Sequence, residues 1–435
     1  MEFFSRTVVC LILLFIFCGE LSAQLKGELR QGEISDYSIA VSPLLMNRKA
    51  DTELGKKLTE TMERDLDMTG YFKVLNRKGF LESAETEKPD MKNWLNIGAN
   101  GLVKGFLSGS DSSVEMELVF YDVAGTKEML RKKYKSSTSS ISQGIHNFVR
   151  DLVFLLAGEK IKFFSSKIAL IEKTGGKYSL ILVNFDGSDK EVLYSSNKIL
   201  LLPAWNKNGR EIFFTSYSKG EPFLYSIDLS SRNVRLVSDF PGLNTSASST
   251  PDGNSIALTL SKDGNTEIYL MNLRSRYLSR LTNNNAIDTA PSFSPDGKEV
   301  AFVSNRSGNP HIYRLFVNNP SRVERLTVQG KYNQDPDYSP DGKYIAFTGR
   351  DELYRFDIFI FDIASRAIAR ISQNQGKNES PSFSPDGKLL VFSSDRQGKN
   401  KLFISNIKGD KQFLIYESSG EAVTPAWSPE IITTK

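Results

Sequence analysis

Histidine and cysteine, the residues that most often carry catalysis or hold a metal, are scarce in this chain of 435 residues. There are two histidines, His146 and His311, and two cysteines, Cys10 and Cys18. Neither histidine lies in a motif that supplies a base to a nucleophile, and the patterns GxSxG, GxxxxGK and HExxH are absent from the sequence. We therefore interpret both histidines as structural and expect no catalytic residue, no metal and no cofactor.

The first 23 residues are typical of a secretory signal peptide. Arg6 precedes an uncharged run from Val8 to Cys18, and small residues follow at Ser22 and Ala23. This predicts export and cleavage after Ala23, which would leave no thiol in the mature chain; acylation of Cys18 is the alternative. The run is shorter than the about 20 residues that a membrane helix needs, so we expect no membrane span in the mature chain.

Charge is nearly balanced along the chain. Lys and Arg total 55 against 51 Asp and Glu, and the two signs are interspersed. Nucleic-acid binding is therefore not expected. We interpret the densest basic cluster, Arg131, Lys132, Lys133 and Lys135, as the solvated edge of a strand, with a binding patch as the alternative.

A turn motif repeats at a fixed spacing in the second part of the chain. The octapeptide PSFSPDGK occurs at 291–298 and again at 381–388. Prolines recur every 44 or 45 residues, and Lys207 stands 44 residues before the first of them. Six anchors predict six units. The anchor prolines are Pro251, Pro295, Pro340, Pro385 and Pro429.

The SPDG motif suits a tight hairpin between two strands. Proline fixes φ at the first corner, aspartate tolerates the second, and glycine takes the left-handed conformation that follows. Two further alternating segments complete each unit, which gives four strands per unit. The aspartates of the motif, Asp252, Asp296, Asp341 and Asp386, are therefore interpreted as turn residues and not as ligands.

Four antiparallel strands repeated at about 45 residues are typical of a β-propeller blade. Residues 167–194 supply three strands without an innermost one, and the segment PAW at 425–427 can provide the missing strand. The sequence predicts an all-β six-bladed propeller with WD40-like (PD40) repeats at 161–435, closed by its C-terminal strand. An α/β domain at 24–160 precedes it.

The α/β domain is predicted from periodicity. The segment SIAVSPLL is expected to form a strand, and a helix is expected from 51 to 68 with Asp51 or Thr52 as its cap. A second strand in YFKVL, a turn that leads into LVKGFL and a hairpin follow. A closing helix at 141–156 carries an apolar stripe that we interpret as core: Ile145, Phe148, Val149, Leu152 and Leu155.

Short polar residues precede the innermost strand of four units. We expect them in loops that open on one face of the ring, around the mouth of its channel, with free donors and acceptors that suit a protein partner. The alternative is that they hydrate the channel and cap strand ends. These residues are Asn244, Thr245, Ser246, Asp288, Thr289, Ala290, Asn333, Gln334, Asp335, Asn378, Glu379 and Ser380.

The leader, the α/β domain and the closed set of SPDG units together resemble the TolB family, the periplasmic component of the Tol–Pal system. The most specific pieces are NQDPDYSPDGKYIAF at 333–347, GEKIKFFSSKIALIEK at 158–173 and the final PAWSP. The resemblance implies a monomeric, non-catalytic periplasmic adaptor that supports outer-membrane integrity and cell division. Its channel mouth would bind the peptidoglycan-associated lipoprotein Pal, with Thr289 at a position where family members also carry threonine.

The resemblance also implies that the mature N-terminus engages the inner-membrane protein TolA. Family members usually carry a β-branched, strand-like segment there, whereas this chain is polar at the matching positions, and Ala290 stands where an acidic residue is common. A secreted propeller enzyme, a lyase or hydrolase acting at the channel mouth, is the alternative function. The TolA-like segment is Gln24, Leu25, Lys26, Gly27, Glu28, Leu29 and Arg30.

Overall fold

The computed structural model describes residues 37–47, 49, 52–110, 112–351 and 353–430. The predicted leader with its cleavage after Ala23 or acylation at Cys18, and the TolA-like segment 24–30, lie outside these residues. None of the helices in the described ranges is long and apolar enough to cross a membrane.

The N-terminal unit is a six-stranded sheet with helices packed on it. The sheet order is β3-β1-β4-β5-β6, with β2 paired to β4; β1 runs parallel to β3 and β4, and β4 to β6 are antiparallel. The elements are β1 Ser38–Val41, β2 Leu45–Met46, α1 Glu53–Thr69, β3 Lys73–Val74, α2 Met91–Asn96, β4 Gly101–Ser110, β5 Ser113–Asp122, β6 Lys127–Ser136 and α3 Ser142–Ala157, with 3-10 turns at Arg77–Gly79 and Phe163–Ser165.

The helices follow the predicted pattern with two differences. Thr52 caps α1, since its Oγ1 accepts a hydrogen bond from the Gly55 amide; Asp51 is outside the described residues. Leu155 was expected in the core but is 43% exposed, because it lies at the margin of the stripe in the last turn of α3, where Val153 is buried instead. Helix α2 was missed, since six residues are too few to show a period.

The basic run lies on the edge strand of this sheet, as predicted. Arg131 forms ion pairs with Glu117 and Glu128, and Lys135 pairs with Glu115. Lys132 pairs with Asp151 on α3, and Lys133 lies 3.8 Å from Glu117, so each cation of the run has a carboxylate beside it.

Six four-stranded antiparallel sheets form the propeller, and sequence order runs from the inner to the outer strand in every blade except blade 1. Blade 1 contains β7 Lys167–Thr174, β8 Lys177–Asn184, β9 Glu191–Ser196 and, innermost, β30 Glu421–Trp427; blade 2 contains β10 Leu200–Trp205, β11 Glu211–Ser216, β12 Phe223–Asp228 and β13 Val234–Ser238; blade 3 contains β14 Asn244–Ser249, β15 Ser255–Leu260, β16 Glu267–Asn272 and β17 Leu278–Arg280; blade 4 contains β18 Asp288–Phe293, β19 Glu299–Ser304, β20 His311–Phe316 and β21 Asn319–Arg325; blade 5 contains β22 Tyr332–Tyr338, β23 Tyr344–Arg350, β24 Phe356–Asp362 and β25 Ile368–Arg370; blade 6 contains β26 Asn378–Phe383, β27 Leu389–Ser394, β28 Lys401–Asn406 and β29 Gln412–Tyr416.

Ring closure follows the prediction. β30 pairs antiparallel with β7, with Ala426 opposite Ala169 and Trp427 opposite Ile168. The Trp427 indole donates to the Ser166 hydroxyl at 2.6 Å, and the Lys167 amide donates to the Ser428 hydroxyl at 3.0 Å. The last strand of the ring is thus tied to the first by backbone and side-chain bonds.

The SPDG turns all lie on one side of the ring, which we call the turn face; the side where the inner strands begin is the mouth face. In the turn of blade 4, Asp296 accepts from the Ser294 hydroxyl at 2.7 Å and the Lys298 amide at 3.1 Å, and Gly297 has a φ of 71°. The aspartate therefore stabilises the turn, as the motif indicated.

The N-terminal unit sits on the turn face. Lys388, which follows an SPDG turn, donates to Glu159 and to the Tyr71 hydroxyl at 2.6 Å each, and Lys411 pairs with Asp67. A continuous apolar cluster also runs from the helices through Phe163, Phe164 and Phe185 to blades 1 and 6. The predicted boundary at 160/161 stays a prediction; α3 ends at Ala157 and β7 begins at Lys167.

A buried histidine bridges the two units. His146 on α3 contacts Asp65 on α1 through Nδ1 at 2.5 Å and Asp186, in the β8–β9 turn of the propeller, through Nε2 at 3.5 Å. Burial alone would lower its pKa, but the two carboxylates outweigh burial and raise the pKa to about 9. His146 is therefore a charged structural link between helix and propeller at neutral pH.

This link predicts a loss of stability in mild alkali. Because the folded-state pKa exceeds the unfolded value near 6.5, the contribution is complete below pH 6.5 and disappears as the pH rises through about 9; its size is on the order of 3 kcal/mol. Urea unfolding at pH 6 to 10 should show this decline in wild type and a flatter profile in His146→Gln. His311→Gln is the matched control, and equal slopes for His146→Gln and wild type would contradict the assignment.

Candidate functional site

The six innermost strands share a bulge that shapes the channel. In each of them the register with the next strand shifts, as between Thr289 and Ser292 in β18, and one residue at the shift has a φ between 48° and 55°. In five of the six strands the next residue is a proline, whose ring fixes the φ angle at that position. These left-handed residues form one ring, one from each blade: Leu202, Ser246, Ala290, Asp335, Ser380 and Thr424.

The ring lines a narrow channel of ≈180 Å³ together with the residues that follow it in each strand. Beyond the bulge, side chains of one inner strand hold the backbone of the next: Ser248 accepts from the Phe293 amide, and Ser382 from the Trp427 amide. These bonds fix the inner strands relative to each other around the axis.

The four residues that open the inner strands were expected in loops with free donors and acceptors; the structure corrects both points. Asn244, Asp288, Asn333 and Asn378 are fully or almost fully buried and are the first or second residues of β14, β18, β22 and β26. Asn244 bonds to Ser238 and to the backbone of 240 and 242. They therefore hold the mouth loops in place and are not available to a partner.

Asp288 and Asn378 show how this anchoring works. Asp288 accepts from Asn284 and from Arg306, each at 2.7 Å. Asn378 donates to Asp357 at 2.9 Å and accepts from Arg396 at 2.8 Å. Each side chain thus holds the start of its strand to an arginine in the connection between the second and third strands of its own blade.

The residues that follow them differ in accessibility. Thr245 is buried against Thr215, with 2.9 Å between their hydroxyls. Thr289, Gln334 and Glu379 are partly exposed on the mouth face. These three side chains are therefore partly accessible at the start of their strands.

The third residue of each predicted triplet belongs to the left-handed ring. Ser246, Ala290, Asp335 and Ser380 line the channel, and Asp335 is the ionisable member of the ring. Asp335 accepts from the Ser380 hydroxyl at 3.2 Å and the Thr348 hydroxyl at 3.4 Å. Burial in the narrow channel raises the pKa of Asp335 to about 6, against these two hydrogen bonds.

Sequence reasoning missed Leu202 and Thr424, which complete the same ring in blades 2 and 1. Their strands lack the Asn or Asp that marks the others. The signal was present in the shared tripeptide PAW, which occurs at 203–205 and 425–427 and places both residues one position before a proline.

The second histidine is also structural. His311 is buried beside Thr327 and Asn333, whose amide nitrogen lies 3.1 Å from Nδ1. Burial, reinforced by Arg325, lowers its pKa to about 4, so it is neutral at physiological pH. Within the described ranges there is no group of three or more His, Cys, Asp or Glu residues that could hold a metal.

Comparison with known proteins identifies the family. The family model described as the TolB beta propeller domain matches residues 155–431, and the model of the TolB amino-terminal domain matches residues 27–129. The chain belongs to the TolB family. Both the family expected from the sequence and the six-bladed fold are thereby confirmed.

Individual relatives agree with this assignment. The Tol-Pal system protein TolB of Polaromonas naphthalenivorans (strain CJ2) is 30% identical over 247 residues, 56% of each chain. The Tol-Pal system protein TolB of Anaeromyxobacter dehalogenans (strain 2CP-1) is 36% identical over 219 residues, 48% of this chain and 49% of the relative. The chain thus spans about half the length of the curated relatives that it matches.

A solved structure extends the similarity over both units. The crystal structure of TolB from Acinetobacter baumannii is 30% identical and superimposes with a TM-score of 0.77. The match covers 90% of this chain and 96% of that one. The N-terminal unit and the propeller therefore occur together in the same order in a solved TolB.

The channel carboxylate predicts a second pH dependence. Since the folded-state pKa of Asp335 is raised to about 6, stability falls as the pH rises from about 4 through 6, and Asp335→Asn removes this penalty, which is on the order of 3 kcal/mol. Thermal unfolding should show the variant more stable than wild type at pH 8, with the difference vanishing at pH 4.

The turn aspartate Asp296 supplies a control of opposite sign. Hydrogen bonds from Ser294 and the Lys298 amide lower its pKa, so its contribution is present above the unfolded value and lost in acid. Asp296→Asn should destabilise the protein at pH 8. If Asp335→Asn also destabilised the protein at pH 8, the Asp335 carboxylate would be stabilising. That result would contradict the raised pKa that we assign to it.

Proposed function

We propose that this chain is a periplasmic, non-catalytic adaptor of the Tol–Pal system that binds Pal, the peptidoglycan-associated lipoprotein, at the mouth face of its propeller. The observation that carries the proposal is the division of the two faces. The N-terminal unit occupies the turn face through Lys388, Lys411 and Asp186, whereas the accessible Thr289, Gln334 and Glu379 stand on the opposite side.

Preorganisation of the mouth supports a binding role. The loops around the channel are held by buried Asn and Asp side chains, so little conformational freedom remains to be lost when a partner docks. A rigid rim with small polar side chains at its centre suits a protruding loop or helix end of another protein. Thr289 is the central contact in this proposal. Its hydroxyl lies 3.3 Å from Thr259 Oγ1, a long hydrogen bond that leaves it able to bond to a partner.

The second proposed partner is a TolA-like inner-membrane protein that engages the mature N-terminus. Residues 24–36 lead into β1 of the N-terminal unit, and the junction at 158–170 joins that unit to the propeller. Occupancy of one site would change the affinity of the other through this junction, where the Lys162 amide donates to Asp386 of an SPDG turn at 3.0 Å. Such coupling is reciprocal, so Pal would alter TolA binding by the same factor.

The decisive test is a titration of the mature protein with the soluble domain of Pal from the same organism. We expect binding, and we expect Thr289→Arg to weaken it more than 100-fold, about 3 kcal/mol, because a long cation would replace a small side chain at the centre of the interface. Tyr277→Arg is the matched control, since Tyr277 is 71% exposed in the β16–β17 turn on the turn face.

Two results would count against the adaptor. Absence of Pal binding by the wild-type protein would remove the proposed function, and equal affinity of Thr289→Arg would remove the mouth as its site. Turnover of a polysaccharide or peptide substrate that Asp335→Asn abolishes would instead support the secreted enzyme.

A further inference from the structure

One hairpin on the mouth face departs from the repeat. The connections between the second and third strands of blades 2, 3, 4 and 6 carry a glycine at their fourth position, with a φ between 92° and 102°. In blade 5 the corresponding residue is Tyr354, with a φ of 61°. The left-handed conformation is disfavoured for a bulky side chain, so Tyr354 carries a cost to folding at this position. The glycines are Gly220, Gly264, Gly308 and Gly398.

This hairpin also has one more pair in its strands and is more apolar than its counterparts. β23 and β24 are each one residue longer than the matching strands of blades 2, 3, 4 and 6, and the added pair is Arg350 opposite Phe356. Leu353 and Tyr354 at its tip are 69% and 65% exposed. The other connections read SKGE, KDGN, RSGN and RQGK, which are polar. Blade 5 alone therefore presents two large apolar side chains at this position.

A cation without an ionic partner lies at the base of the hairpin. The guanidinium carbon of Arg350 is 5.2 Å, 5.0 Å and 5.8 Å from the ring centres of Tyr332, Tyr354 and Phe356. In the described part of the chain no carboxylate forms an ion pair with Arg350, and its buried Nε has no hydrogen-bond acceptor. The arginine is thus held by aromatic rings, and no described carboxylate neutralises its guanidinium, which can therefore attract an acidic group.

A second cation and a groove adjoin it. Lys331 Nζ is 5.7 Å from the ring centre of Tyr354, and no described carboxylate pairs with it. The groove, of ≈470 Å³, runs between the hairpin and the loop at 374–377 that leads into blade 6. Two further cations in its wall are already neutralised, Arg355 by Asp351 and Lys377 by Glu379. Among the described residues, Arg350 and Lys331 are therefore the cations at this hairpin that have no carboxylate partner.

We propose that the blade 5 hairpin is a second docking element for the protein partner at the mouth, and that it takes an acidic, extended segment of that partner. A carboxylate of the segment would pair with Arg350 and Lys331, and an apolar side chain would pack on Leu353 and Tyr354 beside the groove. This inference rests on the proposed function and locates a contact at the rim, away from Thr289.

The test compares variants by their affinity for the soluble Pal domain and by their melting temperature. Tyr354→Gly relieves the left-handed conformation, so we expect a higher melting temperature together with a roughly tenfold weaker affinity. If Tyr354 served folding alone, Tyr354→Gly would instead lower the melting temperature. Tyr277→Ser, which removes an equally exposed tyrosine from the turn face, is the matched control and should leave the affinity unchanged.

Charge is tested separately. Arg350→Gln should weaken binding about tenfold at low salt and reduce the slope of log Kd against log salt concentration. If wild type binds Pal and Thr289→Arg does not, yet Tyr354→Gly and Arg350→Gln bind like wild type, the hairpin proposal is overturned while the proposed function stands. Retention of the wild type, but not of Tyr354→Gly, on purified peptidoglycan with Pal affinity unchanged would also overturn it and would assign the tyrosine to a glycan.

Discussion

The pairing of β30 with β7 is the constraint on which the rest of this molecule depends. A single blade exposes two apolar faces, and each of the propeller's apolar clusters contains residues of neighbouring blades, so no blade is stable alone. Closing the circle requires residues more than 240 positions apart to form one sheet, Glu421 with Lys173 at one end and Trp427 with Ile168 at the other. The N-terminal unit then rests on the closed ring, at blades 1 and 6, where the two chain ends of the propeller meet.

The same closure fixes the geometry of the mouth. The ring of left-handed residues exists only when all six inner strands face one axis, and two of its members, Leu202 and Thr424, flank the junction between blades 2 and 1. The Trp205 indole donates to the Ala426 carbonyl at 3.0 Å across this junction, whereas a backbone amide donates to a serine hydroxyl between blades 3 and 4 and between blades 6 and 1. The accessible surface and the buried anchors are therefore consequences of one packing arrangement.

Much of the fold could be predicted because the local signals agree with the global structure. The SPDG spacing gave the number of blades, and the inner strand missing before Lys167 located its replacement at 425–427. The exposure of Leu155 could not be predicted, since helical periodicity does not show where the end of a helix extends beyond the sheet on which it packs. The link from His146 to Asp186 could not be foreseen either, because it depends on how two units meet in space.

The predicted triplets do lie at the start of the inner strands, but the sequence did not show which member of each triplet is buried. A polar triplet before each inner strand does not reveal which member faces the interior: Asn244 and Asn378 anchor loops, whereas Asp335 and Ser380 line the channel. The tip of the blade 5 hairpin was overlooked because DELYR lacks the glycine that marks the other four connections, and the left-handed Tyr354 becomes apparent only from backbone angles.

A disulfide between the first and last strands would test the central claim most directly. In the mature chain, Ala169→Cys with Ala426→Cys places two thiols opposite each other in the β7–β30 pair, and Ala257→Cys with Ala426→Cys is a control from an equivalent strand of blade 3. The account predicts that mild oxidation joins the first pair quantitatively, speeds its migration in a non-reducing gel and raises its melting temperature, and leaves the control open. Free thiols in the first pair after oxidation, or equal cross-linking of the control, would contradict a ring closed by its C-terminal strand.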